Sequence, residues 1–313
     1  MRQDLESDLV EDATITTRID RHGQGCGCAL HGRRLFTGLL AGAAATAALP
    51  VLAREGVEVG GNSKFTKLVS AEEIEAAAQQ QYLQLRQEAS GKGALAPAGH
   101  PQQQRLQFIA DRLIPHTLEW NARAKGWKWE VSLIGSKELN AFCMPGGKIA
   151  FYLGILQTLQ LTDEEVAMIM GHEMAHALRE HARERIGKQT ATRVGANLLS
   201  SLLGLGGLGD AALGLGSQLL TLKFGRQDES EADLVGMELA ARAGYNPRAG
   251  VTLWQKMAEA SKGAPPQFLS THPSSSTRIQ EIEASLPKVT PLFARAARPP
   301  RQFGPPALRG NGG

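Results

Sequence analysis

Cysteine is nearly missing from this chain: 313 residues carry three, at positions 26, 28 and 143. Cys26 and Cys28 have no second pair nearby, so a metal or redox pair there lacks support. If the first 53 residues are removed, Cys143 alone remains and no internal disulfide can form. Excess charge of one sign is lacking as well. Thirty-four Lys and Arg face 31 Asp and Glu, a net charge of +3, and the basic residues are scattered. No nucleic-acid footprint stands out, and no nucleic-acid partner is expected. No internal repeat is present, which excludes an appended helical-repeat domain. Long apolar runs are scarce. Only Leu35 to Ala53 and Val194 to Leu222 approach the roughly 20 residues that span a bilayer. Pro50 interrupts the first, and Gly204, Gly206, Gly207, Gly209, Gly214 and Gly216 interrupt the second. The second reads as two buried helices around a Gly-rich loop.

The first of these runs carries an address. Arg33-Arg34-Leu35-Phe36 is a twin-arginine signature ahead of an uncharged stretch rich in Ala and Gly. Val51-Leu52-Ala53 offers a small-residue cleavage site. Residues 1–53 are therefore expected to be an N-terminal tail and export signal, and the protein periplasmic or cell-envelope. An uncleaved anchor, or peripheral membrane association, is the alternative. A lipoprotein is not expected, because Cys26 and Cys28 precede the apolar run rather than follow it.

The rest of the chain has the material for one domain. Hydrophobic residues make up 42%, and about 230 ordered residues suit a single core. The domain is expected over 70–286. Ser70 with Glu73 forms a capping-box signature for a first helix. Leu106, Ile109, Leu113 and Ile114 stripe a second, predicted over 103–124. Residues 127–134 and 148–152 read as strands around a turn at 139–147. Thr162 with Glu165 caps a helix predicted to run unbroken to Lys188. Helices follow from Asp228, over 248–260 and over 274–286. After Pro287 the chain is rich in Pro, Arg and Gly, and 287–313 is expected to be a disordered basic tail.

Chemistry concentrates at His172-Glu173-Met174-Ala175-His176. Histidines four apart on a helix share one face and can grip one Zn²⁺. Glu173 is turned by about 100° from His172. It can sit beside the metal without binding it and take a proton from a zinc-bound water. Taken alone, the motif is also what two chance histidines on a core helix would give. A catalytic zinc takes a third protein ligand. Downstream, Glu229 and Asp233 are four apart and share a face, so one can ligate while the other orients a ligand. Glu231 points elsewhere. An acidic first turn favoured by the helix dipole is the plainer explanation of these carboxylates.

Together these stretches resemble the HtpX-like and BepA-like zinc metallopeptidases, gluzincin-type relatives of the CAAX prenyl endopeptidases. The resemblance extends to Asn140-Ala141-Phe142-Cys143-Met144-Pro145-Gly146-Gly147-Lys148-Ile149, and to Thr271-His272-Pro273 with Arg278-Ile279. Cys143 departs from it, since a small residue is more usual there. It implies an α+β, mostly helical, zincin-like domain with a small sheet. It also implies His172, His176 and Glu229 as ligands of one Zn²⁺, Glu173 as base, and His272 and Asp233 near the metal. Gly146, Gly147 and Lys148 are expected to lead into an exposed strand edge that binds an extended peptide. His272 is the candidate oxyanion donor, with a latch on the metal as its alternative. Unfolded or misassembled envelope proteins are the expected substrates. Two rival functions are a chaperone-like binder with latent zinc and a membrane-embedded prenyl-protein endopeptidase. The first has no use for the base, and the second needs more apolar spans.

Overall fold

The computed structural model describes residues 54–202, 219–262, 267–272 and 277–307. The expected signal and most of the Gly-rich stretch lie outside the described residues. Capping chemistry sets where the first helices begin. Helix α1 (Ala71–Gly91) starts at Ser70, whose hydroxyl oxygen accepts the Glu73 N–H at 3.3 Å. Glu73 does not return the bond; the Ser70 hydroxyl donates to Glu72 instead. Helix α2 (Pro101–Leu113) begins with proline at its first position, where a missing N–H costs nothing. It ends well short of Ala124. Pro115 has no N–H to continue the ladder, and the chain leaves through 3₁₀ turns at Ile114–His116 and Ala122–Gly126.

Three strands follow: β1 (Glu130–Ile134), β2 (Ala141–Met144) and β3 (Lys148–Tyr152), in the order β1-β3-β2. β1 runs parallel to β3, and β2 antiparallel to it. The predicted turn at 139–147 thus contains a strand, and the turn itself shrinks to Pro145–Gly147. Gly146 has φ +80° and Gly147 φ +77°. Gly147 N–H donates to the Met144 carbonyl at 3.2 Å. A Cβ on Gly147 would lie 2.7 Å from the Trp129 ring. Alternation along the strands sends Leu133, Ile149, Phe151, Ala141 and Cys143 into the main core. Ile134, Ala150 and Met144 pack on the other face with Tyr82 of α1.

After the short α3 (Leu153–Thr158) comes the central helix, α4 (Asp163–Leu178). Its capping box forms as predicted, with Thr162 Oγ1 accepting the Glu165 N–H and Glu165 accepting the Thr162 N–H at 2.9 Å. Every residue of α4 except Glu164 is buried. The helix does not run on to Lys188. Arg179 caps it, Glu180 takes φ +58°, and α5 (His181–Leu202) sets off in a new direction. α6 (Arg226–Arg242) packs against α4 at glycines: a Cβ on Gly236 would lie 2.5 Å from the His172 amide nitrogen. α7 (Ala249–Ala260), α8 (Gln267–Thr271) and α9 (Arg278–Arg295) complete the domain.

The expectation of a disordered tail from residue 287 is corrected. α9 continues through Pro287 and Pro291, both exposed, to Arg295. Ile282, Leu286, Val289 and Leu292 make a buried stripe across the prolines. The hydrogen bonds that proline removes lie on the solvent side. Beyond the helix, Phe303 lies against Phe108, with ring centroids 5.5 Å apart. The Phe303 and Gly304 N–H groups donate to the Asp163 carboxylate at 2.7 and 3.2 Å. Among the described residues, no helix is long and apolar enough to cross a membrane.

Candidate metal centre

α4 and α6 bring the predicted residues together. His172 and His176 project from α4, Glu229 from the first turn of α6, and His272 follows α8. Each offers one donor atom, and the four atoms lie within 4.8 Å of one another. The two α4 histidines turn Nε2 inward, 3.1 Å apart. Glu229 Oε1 is 3.4 Å from His176 Nε2 and 3.0 Å from His272 Nδ1. All four residues are buried. A buried set of imidazole nitrogens around a carboxylate oxygen is the donor chemistry that suits a zinc-like cation.

Glu173 lines the adjoining cleft, and its Oε1 is buried with no hydrogen-bond partner. His272 Nε2 lies 3.5 Å from it. Burial pushes the Glu173 carboxyl above its usual range, and the Glu229 charge adds to that. Burial also pushes His176 well down, which keeps its ring neutral and able to donate a lone pair. For Glu229, burial alone would raise the carboxyl. Hydrogen bonds with His176 and His272 and the charges around them outweigh it, and the carboxyl sits below its usual range.

The supporting shell holds one residue to which sequence reasoning gave a role and several to which it gave none. Asp233 faces His172 Nδ1 at 3.0 Å, as its helical phase predicts. Arg278 had no assigned role, although it stands in the motif. It donates to Glu229 Oε2 at 2.8 Å and to both oxygens of Asp233, with Trp254 against its guanidinium. His181 was missed altogether; its Nδ1 lies 2.9 Å from His176 Nδ1. Phe224 stacks on His176 with centroids 4.0 Å apart. Glu231 faces away from the donors toward Arg179 and His181, as predicted.

Gly146, Gly147 and Lys148 do not reach the cleft. The glycines shape a buried turn, and Lys148 is 3% exposed, donating to Glu130 and the Lys128 carbonyl. β3 is the middle strand, so the edge beside the donors is β2. Tyr152 N–H bonds the Asn140 carbonyl, which makes Asn140, Phe142 and Met144 the hydrogen-bonded positions of the pair. The amide groups of Ala141 and Cys143 therefore point off the edge. Asn140 Oδ1 accepts the Ala141 N–H at 3.0 Å. Burial drives the Cys143 thiol well above its usual range, so it is no nucleophile.

A helix bearing HExxH, a carboxylate from a second helix and a buried glutamate beside them define a metallopeptidase-type centre. Comparison with known proteins agrees. Residues 100–286 match Peptidase family M48, and the chain belongs to that family. It is 38% identical over 164 residues to mitochondrial metalloendopeptidase OMA1 of Schizosaccharomyces pombe, covering 51% of this chain and 48% of the relative. To metalloprotease LoiP of Escherichia coli it is 30% identical over 63% of this chain and 75% of the relative. To the beta-barrel assembly-enhancing protease of Yersinia pestis it is 25% identical over 57% of this chain and 37% of the relative. The chain thus spans about half the length of the OMA1 relative from S. pombe. The family implies a metal, and the His/His/Glu/His group is placed to bind one ion.

Proposed function

We propose that the chain is a zinc-dependent endopeptidase holding one Zn²⁺ through His172, His176 and Glu229. Its substrates on this reading are unfolded or misassembled proteins of the cell envelope. The observation that carries the reading is Glu173: a buried carboxylate oxygen that accepts no hydrogen bond, beside four convergent donors. A purely structural site has no use for such a group. When bound, zinc supplies Lewis acidity to water and to the peptide carbonyl. Glu173 takes the proton of the attacking water and hands it to the leaving nitrogen. Its burial makes it a stronger base than a surface carboxylate. Asp233 fixes the tautomer of His172 by accepting from Nδ1. An extended peptide added to β2 would bond to outward amides such as those of Cys143. Backbone pairing of this kind demands an unfolded segment and little sequence.

The decisive experiment is casein hydrolysis by the purified protein, with and without chelator, alongside Glu173→Gln. The wild type should lose activity to chelator and regain it with zinc. Glu173→Gln should bind zinc normally and turn over at least about 100-fold more slowly, the low end for loss of a general base. Near-normal hydrolysis by the zinc-loaded variant would remove Glu173 from the chemistry. A wild type that holds zinc but cleaves nothing would favour a chaperone-like binder. For export, replacing Arg33 and Arg34 with Lys should retain the precursor in the cytoplasm. Normal amounts of processed protein in the periplasm of that strain would refute the twin-arginine route.

A further inference from the structure

His176 needs a partner on the far side of its ring. Its Nε2 faces the donor cluster, and to ligate a metal there a neutral ring must carry its proton on Nδ1. For His172, the corresponding Nδ1 meets a carboxylate, Asp233. For His176 it meets another imidazole, His181 Nδ1, at 2.9 Å. Two ring nitrogens at that distance share one proton. If His176 Nδ1 donates, His181 Nδ1 must be bare, and the proton of His181 sits on Nε2. That nitrogen lies 3.5 Å from Glu231 Oε2. Arg179 donates in turn to Glu231 Oε1. With Nε2 of His176 bare to ligate a metal, this is the arrangement of protons that satisfies each contact in turn.

The backbone is built to make this contact. In an unbroken helix His181, five residues on, would lie about 140° around the axis from His176. The helix is broken between them. Glu180 adopts φ +58°, a left-handed conformation that a non-glycine residue rarely takes. Arg183 donates to Glu180 Oε1 at 2.8 Å and Asn62 to its Oε2 at 3.2 Å, which holds the break. The turn returns His181, buried at 2% exposure, onto the ring of His176.

We infer that His181, backed by Glu231 and Arg179, is a positioning residue that fixes the tautomer and orientation of His176 as a metal ligand. The inference rests on the metallopeptidase reading. A neutral imidazole is a weaker acceptor than the carboxylate behind His172. The two helix histidines are therefore held by unequal partners.

The test is zinc affinity, measured by chelator competition on the full-length protein, with circular dichroism as a check on folding. His181→Ala should bind zinc about 10- to 100-fold more weakly, the usual cost of losing a group that orients a ligand. His181→Asn places an amide oxygen near the Nδ1 position and should recover most of that loss. Glu231→Gln, one step further out, should cost less than His181→Ala. Wild-type affinity in His181→Ala would overturn the inference, and so would His181→Asn binding as weakly as His181→Ala. If the wild type itself binds no zinc, the metallopeptidase reading falls and the relay falls with it. If the wild type binds and His181→Ala binds equally, only the relay falls.

Discussion

Glu229 faces two ways. One oxygen looks toward His176 and His272, and the other takes a hydrogen bond from Arg278 at 2.8 Å. Arg278 thereby holds the carboxylate with Oε1 toward His176 and His272, while Oε2 stays 3.6 Å from His172 Nε2. Replacing Glu229 with Ala removes one of the four convergent donors and leaves Arg278 buried with one carboxylate partner fewer, so zinc binding should collapse. Glu231→Ala should leave it measurable. Metal analysis of the two variants decides the assignment, and the reverse order would refute it. His272 demands a choice of sign. Its Nδ1 stands inside the four-atom cluster, 3.3 Å from His172 Nε2, where a fourth ligand would stand. An oxyanion donor belongs outside that set, about 2.7–3.1 Å from the developing charge. The latch alternative fits this placement better, so His272→Ala should raise kcat at fixed zinc occupancy. A fall of about 100-fold would restore the donor role. The convergence of these side chains was legible because helical phase is written in spacing: His172 with His176, and Glu229 with Asp233. Arg278 was visible only as part of a motif. What it touches depends on how α6 and α9 pack, which no local pattern encodes.

At the scale of elements, the centre depends on how closely α4 and α6 approach. The donors sit on separate helices, and glycine against glycine sets the distance between them. A Cβ on Gly171 would come within 2.6 Å of the Gly236 carbonyl oxygen, and one on Gly236 within 2.5 Å of the His172 amide nitrogen. Both atoms are backbone, so no side chain can swing away. Gly236→Ala should push α6 outward, costing about 1–3 kcal/mol of stability as overpacking does. It should also weaken zinc binding, although no ligand is touched. Denaturant unfolding and chelator competition on the same variant check both halves. A fully stable variant with normal affinity would mean that the helices are not in tight register. Sequence patterns found both helices and the Thr162 cap but missed the break at Glu180. No glycine or proline marks it. The residue is held left-handed by Asn62 and Arg183, neighbours that a local reading does not supply. The continuation of α9 was hidden for the opposite reason. Pro287 and Pro291 read as breakers, yet both fall on the exposed face, and the stripe from Ile282 to Leu292 holds the helix.

Across the whole molecule, the start of the catalytic helix is tied to the far end of the described chain through one carboxylate. Asp163 opens α4. It accepts from the fully buried Arg105 of α2 at 2.6 Å, and from the Phe303 and Gly304 amides. Gln160 adds a bond to the Pro306 carbonyl at 3.2 Å. Composition marked this C-terminal segment as loose, because backbone amides docking on a carboxylate leave no trace in hydrophobic period. Asp163→Ala should therefore act at three places together. Arg105 would keep the Leu161 carbonyl and Gln102 but lose the carboxylate it is hydrogen-bonded to, at a site closed to water. Breaking a buried pair from one side costs about 3–5 kcal/mol. The Phe303 and Gly304 amides would lose their acceptor, so hydrogen exchange there should speed up and protease should cut first near residues 296–307. The metal donors, at the other end of α4, stay in place. Zinc affinity of the folded fraction should then change far less than in Gly236→Ala. A stability loss under about 1 kcal/mol, with exchange at Phe303 unchanged, would show that Asp163 does not join these parts.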